Sequence, residues 1–248
     1  MLTTTKSEPL FIVEQRGDKY FITGFTEWDI AEQNDLRHLT VIIVSFVADG
    51  KEKGKWVVHD RTARQWARGL PDCKNLSYNL FGGHCTADSS RVDLIGVEIP
   101  PDICDSTARR ELEEELLCCG NETELEKWEG LQKRVENVTA GFYHANDPIP
   151  IGFSSFSGKG NLELSYIYAL PVPEADLPRL IASDSYKKDG KEHSVCLPIV
   201  TVSESELREM HARSEETNIE ICDAITRLWL PENADVYKKL KRVIEAYP

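Results

Sequence analysis

The most constraining feature of this sequence is the segment at residues 39–47, which is rich in β-branched and aromatic side chains and contains no glycine, proline or charged residue. Such a composition predicts a buried β-strand. Residues 49–55 form a polar turn signal, and a second strand-like segment follows at residues 56–59. We therefore expect the two segments to pair as a β-hairpin.

The rest of the chain predicts strands in its middle and helices at its end. Residues 11–25 alternate around Arg16-Gly17-Asp18 and predict an N-terminal hairpin. Ser203 and Glu206 have the spacing of a capping box. Further strands are predicted at residues 76–81, 138–144, 149–153 and 162–172. Helices are predicted at residues 107–119, 125–137, 204–212, 219–230 and 234–247, with a short helix or a loop at 28–36.

Composition and charge exclude several classes of protein. The chain has 248 residues, of which 41% are hydrophobic, so it can bury a substantial core. A net charge of −13 argues against binding DNA or an anionic membrane, which requires a basic surface. We expect a cytoplasmic protein, since no long apolar run and no signal peptide is present. Seven cysteines without Cys-x-x-Cys spacing favour reduced thiols over disulfides or a structural zinc site.

An acidic run at residues 110–116 gives the main indication of chemistry. On a helix, Glu111, Glu114 and Glu115 are neighbours at spacings of three and four residues, so their carboxylates are expected to converge. A bound divalent cation offsets the repulsion of such carboxylates, and Mg²⁺ prefers carboxylate oxygens. The competing interpretation is an acidic helix face that is only solvated.

The surroundings of this run favour the metal site. Asp105 or Ser106 is the expected N-cap of the helix, and Gly120 is its expected terminator. Upstream, Gly82-Gly83-His84 follows an apolar segment that predicts a strand. Glycines permit a tight turn and a close approach of the backbone to a ligand. The sequence therefore predicts a Gly-Gly loop next to a carboxylate helix.

A Gly-Gly loop followed by Arg-Glu-x-x-Glu-Glu on a helix resembles the signature of the Nudix hydrolase superfamily. The second half of the family's box is matched by Arg110, Glu111, Leu112, Glu114, Glu115 and Cys118. Leu117 stands where the family has glycine. The resemblance implies an α/β/α sandwich around a mixed β-sheet at residues 37–230. Residues 1–36 would then be an N-terminal extension with a hairpin, and residues 231–248 a C-terminal helix.

The first half of the box fits the sequence in two registers. Gly96 and Asp102 match the spacing literally, with aspartate in place of glutamate. In the other register, Gly83 is the box glycine, and residues 85–104 are an insertion before the helix. We favour the second register because Gly83 directly follows the predicted strand. The insertion and the N-terminal hairpin are candidates for a lid or a homodimer contact.

The resemblance also implies a reaction and its residues. It implies hydrolysis of a diphosphate linkage in a nucleoside diphosphate derivative, such as ADP-ribose or a nucleotide sugar, with Mg²⁺ or Mn²⁺ as cofactor. The implied metal ligands are Glu111, Glu114 and Glu115. Glu111 alternatively orients the attacking water, and Arg110 orients a glutamate. This small phosphorylated substrate is expected to contact Arg61, Gly82, Gly83 and His84.

Two alternatives stay open. Isopentenyl diphosphate isomerases share the Nudix fold and carry Cys-Gly-His where this chain has Gly82-Gly83-His84. His38 and Glu163 resemble a metal ligand and the acid/base glutamate of those enzymes, but Gly82 replaces their catalytic cysteine and Asn161 replaces a ligand glutamate. The other alternative is a catalytically silent domain that binds a nucleotide or a protein. The three mutually repelling carboxylates argue against this alternative, because binding alone would not require them. Leu117 argues for it, because it replaces the glycine of the family's box.

Overall fold

The computed structural model describes residues 9–61, 76–87, 92–119, 140–143, 146–158, 161–188, 191–213 and 219–248. The strands are β1 (Leu10–Arg16), β2 (Lys19–Thr26), β3 (His38–Val47), β4 (Trp56–Asp60), β5 (Leu76–Asn79), β6 (Phe81–His84), β7 (Leu116–Cys119), β8 (Ala140–Phe142), β9 (Ile149–Gly158), β10 (Asn161–Val172), β11 (Leu180–Lys188), β12 (Lys191–Val202) and β13 (Ile219–Ile221). The helices are α1 (Trp28–Gln33), α2 (Pro101–Glu115), α3 (Glu204–Ala212), α4 (Asp223–Thr226) and α5 (Ala234–Ala246). None of these described helices has both the length and the apolar character that a membrane crossing requires.

The strands form an extensive, largely antiparallel sheet. Its hydrogen-bonded order is β2-β1-β3-β4-β12-β11-β7-β8. Strand β10 pairs with the whole of β3 in parallel, from Glu163 opposite His38 to Val172 opposite Val47, and β9 pairs with β10 in antiparallel fashion. Strand β6 pairs with the first half of β3. The predicted α/β class is therefore confirmed, with β3 at the centre of the sheet.

Strand β3 is buried along its entire length because both faces of the sheet are covered. Alternate side chains of a strand point to opposite faces. Leu39 and Val41 belong to the apolar cluster that includes residues of α2, so we name their side the α2 face. Val44 and Phe46 belong to the cluster that includes residues of α3, α4 and α5, so we name the opposite side the C-terminal face.

Several predicted elements are confirmed. The N-terminal hairpin is β1 and β2, which turn at Gly17 with a φ of 65°. The hairpin predicted from residues 39–47 is β3 and β4. The capping box of α3 is complete, since the Ser203 hydroxyl accepts from the Glu206 N–H at 3.2 Å and the Glu206 carboxylate accepts from the Ser203 N–H at 2.8 Å. Helix α5 is the predicted closing helix.

The N-terminal hairpin belongs to the same sheet as the rest of the described chain. Ile12 of β1 lies opposite His38 of β3, and Phe11 is buried in the apolar cluster on the α2 face. The division into an extension at residues 1–36, a domain at 37–230 and a terminal helix stays a prediction.

The carboxylate helix α2 begins earlier than predicted. Pro100 is its N-cap, and a proline follows as its first residue, which suits the fixed φ of proline. Neither Asp105 nor Ser106 caps the helix, and both lie within it. The predicted insertion at residues 85–104 therefore overlaps the first turn of α2.

The same helix also ends earlier than predicted, at Glu115 rather than near Cys119. The next residue, Leu116, has extended backbone angles and lies opposite Ala182 of β11. Hydrogen bonding to this distant strand ends the helix, and β7 takes the place of its predicted last turn. Gly120, the expected terminator, lies outside the described residues.

Two further predictions differ from the structure, and one hairpin was not predicted. Residues 219–230, predicted as one helix, form β13, α4 and a 3-10 turn, and β13 pairs in parallel with β5. The predicted strand at residues 76–81 is divided between β5 and β6. The long hairpin of β11 and β12 has no predicted counterpart. The predicted helix at residues 125–137 lies outside the described residues.

Replacing Ser203 with alanine removes the hydroxyl that caps α3, and should lower the free energy of unfolding by about 1 kcal/mol. For a chain of this size we expect the Tm to fall by about 2–4 °C, measured by circular dichroism. Ser203→Asn is the matched control, because the side-chain oxygen of asparagine also accepts from the N–H groups of the first turn. An equal loss in Ser203→Asn would contradict the capping role.

Candidate functional site

The carboxylates at the end of α2 lie against strand β6, which contains Gly82-Gly83-His84. Gly82 lies opposite Ile42 of β3, and Gly83 lies opposite Val41. The segment is therefore a strand, and the prediction of a loop at this position is wrong. Glu115 Oε2 accepts a hydrogen bond from the Gly82 N–H at 2.9 Å. The structure thus brings the two glycines and the carboxylate helix into direct contact.

Glycine is needed at both positions, because neighbouring atoms already occupy the space that a side chain would require. A Cβ atom at Gly83 would lie 2.5 Å from the Glu111 carboxylate. A Cβ atom at Gly82 would lie 2.2 Å from the Val41 carbonyl oxygen, and Gly82 has a φ of 136°, which other residues rarely adopt. A side chain at position 83 would displace the carboxylate, and one at position 82 would disrupt the pairing with β3.

Glu111 is the most enclosed carboxylate of α2, with 7% of its surface exposed. Its Oε1 lies 2.6 Å from Nη2 of Arg110, which also donates to the His84 carbonyl oxygen at 3.0 Å. Burial raises the pKa of Glu111 to about 7, and the neighbouring guanidinium offsets only part of this rise. Arg110 therefore fastens α2 to β6 and orients the Glu111 carboxylate.

Glu115 is the second desolvated carboxylate on this face. Burial raises its pKa to about 8, and the charge of Glu111 adds to the rise, whereas the hydrogen bond from Gly82 and the charge of Arg61 oppose it. Two neighbouring carboxylates that resist ionisation are stabilised in their charged forms by a nearby cation. The pair therefore fits a divalent metal ion that prefers oxygen ligands.

Glu114 does not join the other two carboxylates, so the expected convergence of all three is not observed. Its side chain is 58% exposed and lies 3.3 Å from Nη1 of Arg110. The position of Glu114 on the outer flank of α2 favours this surface ion pair over the contact with β6. A contribution of Glu114 to a metal site requires a change of its side-chain rotamer.

Arg61 reaches the same face of the sheet from the end of β4. Its Nε lies 2.9 Å from Oδ2 of Asp184 on β11. Both residues act on Glu115, because Arg61 lowers and Asp184 raises the pKa of that carboxyl group. Arg61, predicted to contact substrate, therefore lies near the carboxylates. Nothing in the local pattern marks Asp184, since it belongs to a polar segment without a motif.

A second group of ligand-type side chains lies on the C-terminal face. The ligand atoms of His38, His84 and Glu163 all lie within 4.8 Å of one another, and no other group of three such residues in the described ranges does so. Strand pairing explains the grouping. Glu163 lies opposite His38, and His84 lies opposite Thr40, two residues further along β3. Residues two apart share one face, so the three side chains meet.

The two imidazoles present suitable atoms to a metal ion. His38 Nδ1 lies 3.3 Å from the Leu36 carbonyl oxygen, which favours a proton on Nδ1 and leaves a lone pair on Nε2. Within the described part of the chain, the Nε2 atoms of His38 and His84 are buried and have no hydrogen-bond partner. Burial, aided by the neighbouring His38, lowers the pKa of His84 to about 4, so its ring is neutral near pH 7. A metal with imidazole preference, such as Zn²⁺, fits this set.

Glu163 is held in place by Arg227, which is 4% exposed. Arg227 Nη1 donates to Glu163 Oε2 and, at 2.9 Å, to Ser165 Oγ. The other carboxylate oxygen of Glu163 lies 4.0 Å from Nε2 of His38. Arg227 thus fixes one oxygen of the carboxylate while the other oxygen faces the histidines.

The two groups are separate candidate centres on opposite sides of the sheet. Gly83, beside Glu111, and His84 are adjacent in β6, so they point to opposite faces. His84 therefore offers its carbonyl oxygen to Arg110 on the α2 face and its imidazole to the C-terminal face. We name the groups the carboxylate centre (Glu111 and Glu115) and the histidine centre (His38, His84 and Glu163).

Without metal, the stability of the protein should fall as pH rises, because Glu111 and Glu115 have pKa values above the ordinary 4.5. The unfolded chain ionises these groups near their ordinary pKa, and the folded chain ionises them near pH 7 and 8. The stabilisation that comes from their protonated forms is therefore complete below pH 4.5 and is lost as the pH rises through 7 and 8. Glu111→Gln removes one such group, so the free energy of unfolding of this variant should decrease less across this pH range, by up to about 3 kcal/mol. Urea denaturation with a chelator across this pH range measures it.

The control for this pH prediction is Glu113→Gln, which changes an exposed carboxylate of the same helix. We expect its profile to follow that of the native protein. Parallel profiles for the native protein and Glu111→Gln would contradict the assignment of a raised pKa to Glu111.

Comparison with known proteins adds no further support for a family. No protein-family model matches the chain, and no curated protein matches it. The resemblance to Nudix hydrolases therefore rests on the residues of the box alone.

Proposed function

We propose that this protein is a Mg²⁺-dependent hydrolase of the Nudix type that cleaves a diphosphate linkage in a small phosphorylated molecule, such as ADP-ribose or a nucleotide sugar. One observation carries the proposal: two desolvated carboxylates, Glu111 and Glu115, lie against the backbone of Gly82 and Gly83. Burial of two neighbouring acids is unfavourable for the fold, and a cation between them and a phosphate relieves it.

Each residue of the carboxylate centre has a distinct role in this proposal. Glu115 and Glu111 hold the metal through oxygen, and a bound Mg²⁺ would polarise the phosphoryl oxygens and favour the attack of water. Arg110 keeps Glu111 in place through their 2.6 Å ion pair. Alternatively, Glu111 orients the attacking water instead of binding the metal, since its carboxylate lies against Gly83 of β6 beside Glu115.

Glu114 completes the proposed ligand set when substrate and metal bind. Its ion pair with Arg110 is exposed on the helix surface, and such pairs contribute little free energy. Replacing this ion pair by coordination of a metal therefore costs little free energy. Mn²⁺ suits the same oxygen ligands and is an alternative cofactor.

In this proposal, Gly83 contributes space beside α2 and Gly82 contributes a backbone N–H donor. The missing side chain of Gly83 lets the Glu111 carboxylate lie against β6, and the Gly82 N–H donates to Glu115. Phosphates would then approach β6 beside these carboxylates. The guanidinium of Arg61 suits phosphate through planar, paired hydrogen bonds.

Glu111→Gln and Glu115→Gln should each lower the kcat for a diphosphate substrate by about 100-fold or more, because each removes a ligand or a base. A panel of nucleoside diphosphate derivatives with Mg²⁺, followed by released phosphate-containing products, measures the effect. Glu113→Gln is the control and should keep native activity. Full activity in both test variants, or no product from any substrate with the native protein, would reject the proposal.

A second candidate function, an isomerase acting on isopentenyl diphosphate, is favoured by the histidine centre. His38, His84 and Glu163 correspond to positions at which those isomerases resemble this chain. The backbone at Gly82 argues against that reaction, because a cysteine side chain there would clash with the Val41 carbonyl oxygen. The proton-transfer pair of such an enzyme is therefore incomplete. Double-bond migration in isopentenyl diphosphate with the native protein would favour the isomerase over the hydrolase.

The histidine centre is tested by its affinity for Zn²⁺. We expect His38→Ala and His84→Ala to weaken Zn²⁺ binding at least tenfold in calorimetry, because each removes one ligand from a small set. His211→Ala is the control, since His211 lies on the exposed helix α3 beside Trp229. Zn²⁺ affinity that is unchanged in both test variants would exclude a metal at this centre.

A further inference from the structure

The geometry points to a phosphate-recognition pair formed by Arg61 and Asp184: we propose that Asp184 positions Arg61 so that its guanidinium grips the second phosphoryl group of a metal-bound diphosphate. The inference deepens the proposed function and rests on it. It assigns Asp184 a role as a positioning residue that the sequence does not indicate, and it makes the diphosphate group the feature that this pair recognises.

The first support is the position of the pair relative to the carboxylate centre. Asp184 lies on β11 two residues beyond Ala182, which is opposite Leu116, the residue that follows Glu115. Residues two apart on a strand share a face, so Asp184 points to the α2 face near the end of α2. Asp184 holds Arg61 at this position through their ion pair of 2.9 Å. A phosphate held by a metal at Glu115 would therefore lie on the same face of the sheet as Arg61.

The second support is the unequal burial of the two partners. The Asp184 side chain is 7% exposed and the Arg61 side chain is 25% exposed. The Asp184 carboxylate is thus held within the sheet, whereas part of the Arg61 side chain reaches solvent. Arg61 is therefore the partner that an incoming anion can contact.

The third support is the chemistry of the contact. The ion pair joins Nε of Arg61 to Oδ2 of Asp184 at 2.9 Å. Four of the five guanidinium N–H donors are on the Nη atoms and lie in the same plane. The charge of the Asp184 carboxylate holds the guanidinium at this face of the sheet, and the Nη atoms can form paired hydrogen bonds to phosphate oxygens. Lysine has no such plane, so it cannot replace arginine at this position.

The negative charge of the carboxylate centre and the diphosphate also requires a further cation. Glu111, Glu115 and a diphosphate are all negative, and Arg110 is already engaged by Glu111 and by the His84 carbonyl. Arg61 is a second cation on the same face, so it can balance phosphate charge that the metal does not neutralise. Removal of Asp184 would leave the site less negative but Arg61 less ordered. These two effects change phosphate affinity in opposite directions, and an experiment can separate them.

The test is calorimetric binding of imidodiphosphate, a diphosphate analogue with a nitrogen bridge, in the presence of Mg²⁺. Arg61→Gln should weaken binding at least tenfold, since charged hydrogen bonds to phosphate are lost. Asp184→Ala should also weaken binding, by a smaller factor. The double variant should bind no more weakly than Arg61→Gln alone, because Asp184 acts through Arg61. The control pair is Arg179→Gln and Asp176→Ala, which removes another arginine–aspartate ion pair of 3.4 Å.

Several results would overturn the inference: native affinity in Arg61→Gln, tighter binding in Asp184→Ala, additive losses in the double variant, or no binding by the native protein. Tighter binding would show that Asp184 acts only through its charge. If Asp184→Ala does not fold, Arg61→Lys replaces it, and native affinity in that variant would equally overturn the inference.

Failure of the proposed function gives a different result. In that case the native protein would bind imidodiphosphate with the expected dependence on Arg61 and would hydrolyse no member of the substrate panel. Hydrolysis by the native protein together with unchanged affinity in Arg61→Gln would reject only the role of this pair.

Discussion

The hydrogen bonding of β3 to its neighbours is the interaction on which the rest of the structure depends. Strand β3 pairs with β10 on one side and with β6 and β4 on the other, and it is buried along its entire length. Its alternate side chains supply both apolar clusters, one beneath α2 and one beneath the C-terminal helices. Both candidate centres depend on its register, because a shift of one residue would exchange the two faces.

The carboxylate centre shows how a fold can oppose the ionisation of its own side chains. Glu111 and Glu115 are desolvated by α2 and β6, so burial raises the pKa of both. Arg110 and the Gly82 N–H compensate only in part. A protein without a ligand at this position would be more stable with neutral side chains there. We therefore propose that the burial of these two carboxyl groups serves the binding of a cation.

Strand β6 contributes to both candidate centres although the sheet separates them. Gly83 admits the Glu111 carboxylate on one face, and the next residue, His84, directs its ring to the other. Arg110 binds the His84 carbonyl oxygen, so it connects α2 to the backbone of the residue that carries the imidazole. The same strand also limits the chemistry, since the backbone of Gly82 has no room for a nucleophilic side chain.

The sequence by itself determined the elements whose stability is local. The β-branched segment at residues 39–47 predicts β3, the spacing of Ser203 and Glu206 predicts the cap of α3, and the acidic run predicts that Glu111 and Glu115 share a helix. These features depend on neighbours within a few residues, so a pattern in the sequence reveals them.

Only the tertiary structure decided where α2 ends and which side chains meet. Leu116 leaves the helix because it pairs with Ala182, a residue 66 positions away in the sequence. His38 and Glu163 are neighbours because β3 and β10 pair in parallel. Arg61 and Asp184 meet because β12 pairs with the strands of both residues and brings their ends to the same part of the sheet. Such contacts follow from strand pairing between distant segments, and local sequence does not encode the register of that pairing.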